Sequence, residues 1–156
     1  MKYMFLRFPE GKPKALTLSY DDGLREDIKL AEILNRYGVK CTFNYTNVEN
    51  ISKEEVEKNI LSKGHEIAIH GADHRAEGLI RTIEGIEDVL SCRKNLESKF
   101  GIIIKGMAYP DSGIRKMSTG NTYENIKAYL KKLDIAYART LGEDNDLFRL
   151  PDDWYA

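Results

Sequence analysis

"KALTLSYDDGLREDIKLAEILNRYGVKCTFNYT", from Lys14 to Thr46, contains two different rhythms. Apolar Ala15, Leu16 and Leu18 lead into Asp21-Asp22-Gly23, which reads as a buried strand ending in a turn. Leu24, Ile28, Ala31, Leu34 and Tyr37 then fall at helical spacing, and Gly38 supplies a left-handed stop. Val39 to Thr46 returns to a strand pattern. A strand, a helix and a strand joined this closely predict a right-handed crossover between parallel strands.

The same alternation continues on the C-terminal side. Ser52 and Glu55 have capping-box spacing and Gly64 follows, which predicts a short helix. "HEIAIHG" (His65 to Gly71) is a third strand. From Ala76 to Phe100 the pattern predicts one helix, with Ile83, Ile86, Val89, Leu96 and Phe100 on its apolar face and Gly101 at its end. "IIIKGMAYP" is a fourth strand, "NTYENIKAYLKKLD" a helix capped by Asn121, and "IAYART" a fifth strand. The expected fold class is α/β, a parallel sheet covered by helices. Residues 1–156 should form a single domain, because no repeat, low-complexity segment or linker divides them.

Composition narrows the partners. With 24 Lys+Arg against 25 Asp+Glu the charge is nearly balanced, which disfavours nucleic acid and acidic membrane surfaces. The apolar patch near Met1 is broken by Arg7 and Pro9, so it lacks the core of a signal peptide, and no stretch is long enough to span a bilayer. Cys41 and Cys92 fit no metal-type spacing or disulfide framework. Two reduced thiols in a chain without a leader lead to the expectation of a cytoplasmic protein.

All three histidines, His65, His70 and His74, lie within ten residues. In parallel α/β folds the C-terminal ends of the strands converge on one face. Asp21 and Asp22 follow the first strand, His70 and His74 the third, and Tyr109, Pro110 and Asp111 the fourth. His65 sits at the opposite end of its strand and reads as structural or solvent-facing. His70 and His74 stand four apart, so both rings share a side if the loop between them starts a helical turn. Two imidazoles and a carboxylate with open positions suit zinc, and also iron(II), cobalt, nickel or manganese. A second carboxylate can then serve as a general base.

These motifs resemble the polysaccharide deacetylase family, carbohydrate esterase family four. The resemblance rests on "LSYDDG", "KCTFNYTN", "KGHEIAIHGADH" and "MAYPDSG", in order along the chain from about Lys14 to Tyr155. It implies a distorted (β/α) barrel, incomplete here at its C-terminal end, and metal-dependent hydrolysis of an N-acetyl group on a sugar or a similar small acylamino compound. It further implies Asp21 as catalytic base, Asp22, His70 and His74 as metal ligands, and Tyr109, Asp111 and Trp154 as substrate-binding positions. Three departures stand out. Ala108 occupies the place of the family's base-orienting Arg, for which Arg149 is a candidate substitute; Asp111 replaces an aromatic residue; and the family's last motif, which carries the general acid, has no counterpart. The alternatives are a metal- or sugar-binding module without turnover and a hydrolase of a non-sugar amide. A sheet of five strands is expected to stay open, with Trp154 and Tyr155 unpacked at a bare edge; either these residues are a shortened version of a longer chain or a homodimer covers the edge.

Overall fold

The computed structural model describes residues 8–47, 50–141 and 150–156. Five strands, β1 (Ser19–Tyr20), β2 (Thr42–Tyr45), β3 (Glu66–Ile69), β4 (Gly106–Ala108) and β5 (Tyr137–Arg139), form one sheet in the order of the chain, every pair parallel. Between them run α1 (Glu26–Tyr37), α2 (Lys53–Asn59), α3 (Thr82–Phe100) and α4 (Tyr123–Lys132). The sheet curls into a half-barrel with the helices outside. Among the described residues no helix is long and apolar enough to cross a membrane.

Side chains alternate across a strand, and here the two faces differ in chemistry. Phe43, Tyr45, Ile67, Ile69, Met107 and Ala138 face the helices and are at most 3 % exposed. The other parity carries Ser19, Thr42, Asn44, Glu66, Ala68, Gly106, Ala108, Tyr137 and Arg139. The core therefore lies between sheet and helices, where Ala31, Val56, Val89, Leu96, Ile126 and Leu130 complete it. The concave face is small and polar. It borders a cavity of about 560 Å³ whose walls include Ser19, Thr42, Glu66, Tyr137, Arg139 and Trp154.

Local signals set the helix ends. Gly38 closes α1 at φ 66°. Ser52 and Glu55 form both halves of the capping box of α2. The first strand, expected as a buried run from Ala15, is only Ser19–Tyr20 with both residues exposed and Leu16 82 % exposed, and Ile83, expected on the apolar face of α3, is exposed as well. Two helix boundaries also differ from the sequence expectation. The helix expected from Ala76 begins only at Thr82, after a 3₁₀ turn over Glu77–Leu79. Gly78 donates to Gly113 O and accepts from Ser118 N, so this backbone pairs with the loop after β4 and leaves the helical path. A Cβ at Gly78 would stand 2.0 Å from the Lys116 carbonyl oxygen. The cap of α4 is Thr122, whose hydroxyl accepts from Asn125 N, while the Asn121 amide ties down the carbonyls of Glu77 and Ile80.

The β5 edge is not bare. Ala138 N donates to Trp154 O, and Tyr155 donates its hydroxyl to Ile135 O and packs on the core. Lys127 pairs with Asp153 behind this tail. Tyr155 is thus packed, contrary to the sequence expectation, whereas Trp154 stays 59 % exposed.

Candidate metal centre

Asp21 and Asp22 leave β1 where the backbone turns left-handed, at φ 82° for Asp22 and 73° for Gly23. The Thr46 hydroxyl donates to Asp22 O and anchors this turn to the end of β2. His70 emerges directly after β3. His74 reaches the same place by a route the sequence did not predict. The loop contains no helical turn; it bends through Gly71 at φ 73° and His74 at φ 53°. Of the five non-glycine residues with positive φ among those described, Asp22, His74 and Asp111 belong to this site. Backbone held in such regions costs about 1–3 kcal/mol per residue, so the surrounding contacts must impose it.

Those contacts can be named. Asp88 of α3, 4 % exposed, accepts from Ala72 N at 3.1 Å and Asp73 N at 2.8 Å and so clamps the loop between the histidines. Burial raises the pKa of this carboxyl, and the two backbone donors oppose that rise. A Cβ at Gly71 would lie 2.5 Å from Asp88 Oδ2 and 3.3 Å from Pro110 Cγ, so glycine is needed for space as well as for φ.

The rings meet with centroids 4.8 Å apart. His70 is 2 % exposed, and its Nδ1 lies 2.9 Å from Ala108 O. A carbonyl oxygen only accepts, so Nδ1 carries the proton and Nε2 presents its lone pair. Asp22 Oδ1 lies 3.5 Å from His70 Nε2 and 3.5 Å from His74 Nε2, and one donor atom from each residue falls within 4.8 Å of the others. Donors bound about 2.1 Å from a common tetrahedral ion stand roughly 3.4 Å apart. The two Asp22–imidazole distances match that spacing, so the three residues could hold a divalent metal with open positions. Asp111 Oδ2 lies 3.9 Å from the remaining nitrogen of His74, so Asp111 is brought to the rim.

Asp21 lies beside this triad with a different set of partners. Arg139 Nη2 donates to Oδ1 at 2.6 Å and to Oδ2 at 2.5 Å, and Asn44 Nδ2 donates to Oδ1 at 2.9 Å. Asn44 and Arg139 Nε also both donate to Ser19 Oγ, at 2.7 and 3.0 Å. Sequence reading missed Arg139, Asn44 and Asp88. Arg149, its substitute for the missing arginine, lies outside the described residues.

The other positions separate. Tyr109, 3 % exposed, has the outward parity of β4 and donates its hydroxyl to Tyr155 O, so it does not face the histidines. Trp154 lines the concave cavity together with Ser19 and Arg139. His65 is structural: Nδ1 accepts from Cys41 N at 3.0 Å, Nε2 meets Asn35 Oδ1 at 3.1 Å, and burial lowers its pKa.

The sequence profile of the family described as polysaccharide deacetylase matches residues 9–138. No curated protein sequence matches the chain. Among solved structures, the chain is similar to the Streptococcus pyogenes deacetylase PplD in complex with acetate, at 14% identity and a TM-score of 0.69 over 84% of this chain and 57% of that one. It is similar to a family 4 carbohydrate esterase from Streptomyces lividans in complex with acetate, at 16% identity and a TM-score of 0.64 over 80% and 61%. A family pseudoenzyme from Bacillus anthracis matches at 15% identity and a TM-score of 0.58 over 80% and 43%. At these identities the likeness is one of fold. The chain spans about three fifths or less of the length of these structures.

Proposed function

For this chain, which belongs to the polysaccharide deacetylase family, we propose metal-dependent removal of an acetyl group from an N-acetylated sugar or a similar small acylamino compound. The observation that carries this reading is the Asp22–His70–His74 donor set with a separately tethered carboxylate, Asp21, next to it. Two of the fold's neighbours hold acetate, the acid half of such a hydrolysis.

A divalent ion, with zinc best suited to two imidazoles and a carboxylate, would supply Lewis acidity toward the acyl oxygen and acidify a water. The protein's own groups divide the remaining work. Asp22 and the two Nε2 atoms would hold the ion, and Ala108 O keeps His70 in the tautomer that leaves Nε2 its lone pair. Asp21 is the general base. Its Oδ1 already accepts from Arg139 and Asn44, whereas Oδ2 accepts only from Arg139 among the described residues. A carboxylate oxygen accepts about two hydrogen bonds, so Oδ2 is the atom free to take the proton from the attacking water. That proton then has to reach the leaving nitrogen, so that acetate and a free amine depart. The small or polar concave face, with Trp154 at its margin, offers room and hydrogen-bonding groups for a sugar-sized substrate.

The second reading, binding without turnover, is favoured by the pseudoenzyme that shares the fold. The deciding assay is acetate release from N-acetylated oligosaccharides and simple amides, with zinc, cobalt or manganese added to metal-stripped protein. We expect release that a chelator abolishes. Asp21→Asn should keep the metal and lose release; Asp22→Ala, His70→Ala and His74→Ala should lose both; His65→Ala should keep its metal. Metal binding without release on any substrate establishes the second reading, and loss of metal from His65→Ala equal to that of the triad variants sinks the ligand assignment.

A further inference from the structure

We infer that Arg139 is the positioning residue of the base and that it acts from the far edge of the sheet, joining β5 to β1 through its side chain. The inference rests on the reading of Asp21 as general base. It starts from the two edge strands, which share no backbone ladder. Arg139 bridges them by donating from Nε to Ser19 Oγ at 3.0 Å and from Nη2 to both Asp21 oxygens, across 120 and 118 residues of chain.

The register explains how an arginine on β5 can do this. The concave positions of β4 are Gly106 and Ala108, and their partners on β5 are Tyr137 and Arg139. Small side chains on one strand thus face the largest ones on the next. At Gly106 the consequence is measurable, since a Cβ there would lie 2.2 Å from the Tyr137 ring. That ring crosses β4 and brings its hydroxyl to Glu66 and Thr42 on β3 and β2. Arg139, two residues on and of the same parity, reaches the opposite wall one layer higher.

The chemistry requires an arginine. Nε and Nη2 lie in one rigid plane, so contact with Ser19 fixes the angle at which Nη2 meets the carboxylate. Asn44 completes the frame by donating to Ser19 Oγ and to Asp21 Oδ1. A lysine could offer charge but not both contacts in one plane. The guanidinium holds Asp21 so that Oδ2 points its remaining lone pair to the water. The cavity bordered by Arg139, Ser19 and Trp154 has room for a free guanidinium ion once the side chain is removed.

Arg139→Ala should lower kcat on the order of 100-fold, the size of effect that misplacing a reacting group produces, with KM and metal content little changed. Guanidinium ion, at concentrations well below denaturing ones, should restore a large part of kcat to Arg139→Ala and none to Asp21→Asn; Arg139→Lys should lie between alanine and the parent. A structural role alone predicts lost folded protein and no rescue by guanidinium. A second readout needs no turnover. In the parent, nitrogen-15 NMR should show distinct Arg139 Nη protons, slowed in rotation by the pair, and Asp21→Asn should merge them. Parent protein inactive with every metal, yet with distinct Nη protons, rejects the proposed reaction and keeps the tether. Unchanged kcat in Arg139→Ala, failure of guanidinium to rescue it, or Nη signals indifferent to Asp21→Asn overturns the inference.

Discussion

Glu77 is fully buried, and neither carboxyl oxygen has a hydrogen-bond partner from another residue. Burial, with Asp88 as a nearby like charge, pushes its pKa from 4.5 up to about 8. In the unfolded chain the carboxyl ionises near 4.5, so between that pH and about 8 the folded state holds a proton that the unfolded state has released. Stability should therefore fall as pH rises through this window. At about 1.4 kcal/mol per pH unit, the loss reaches about 4–5 kcal/mol, an upper bound because local opening admits water before the full penalty accrues. Glu77→Gln removes the titration and keeps the shape. Urea unfolding of both proteins at pH 5, 6, 7 and 8 measures the effect. The variant's advantage over the parent should widen steadily with pH, by at least about 2 kcal/mol across the series. Parallel stability curves for the two proteins would refute the argument that an uncharged carboxyl is buried here.

Two further outcomes follow from the geometry. Asp27, 0% exposed in the first turn of α1, is raised by burial to about 7, so Asp27→Asn should flatten the same decline between about pH 4 and 7, read by thermal unfolding at fixed ionic strength. Gly71→Ala should lower stability by about 3 kcal/mol or more, through the left-handed backbone and the displaced Asp88 clamp, and should weaken zinc binding in competition titrations; parent-like zinc affinity would show that the clamp does not hold the histidines.

The parts of this molecule that were legible in the sequence are those set within one turn or one crossover. Gly38, the Ser52–Glu55 box and the apolar rhythm of α1 act locally, so they could be read directly. Asp22, His70 and His74 could be placed because parallel strands send their C-terminal ends to one face. A parity count could have set Tyr109 apart: Gly106 and Ala108 point into the concavity, so Met107 and Tyr109 have the outward parity. Arg139 could not be found by spacing, because its partners lie about 120 residues away and the curl of the whole sheet brings them together. The one trace of it in "IAYART" is an arginine at a strand position whose parity matches that of Tyr137. The start of α3 was hidden for a similar reason, since Gly78 belongs to a pairing with a loop more than thirty residues ahead.

The strand order also says something about how the chain assembles. Every strand pairs with the one made just before it, so the sheet can be laid down in the order of synthesis without waiting for distant segments. The bonds from Arg139 to Ser19 and Asp21 break this order. They cannot form until β5 has emerged and the sheet has bent round to bring it to β1. A nascent or partly unfolded chain would then carry His70 and His74 in place while Asp21 is still untethered, and under the proposed function the ability to react would arrive later than the ability to bind metal.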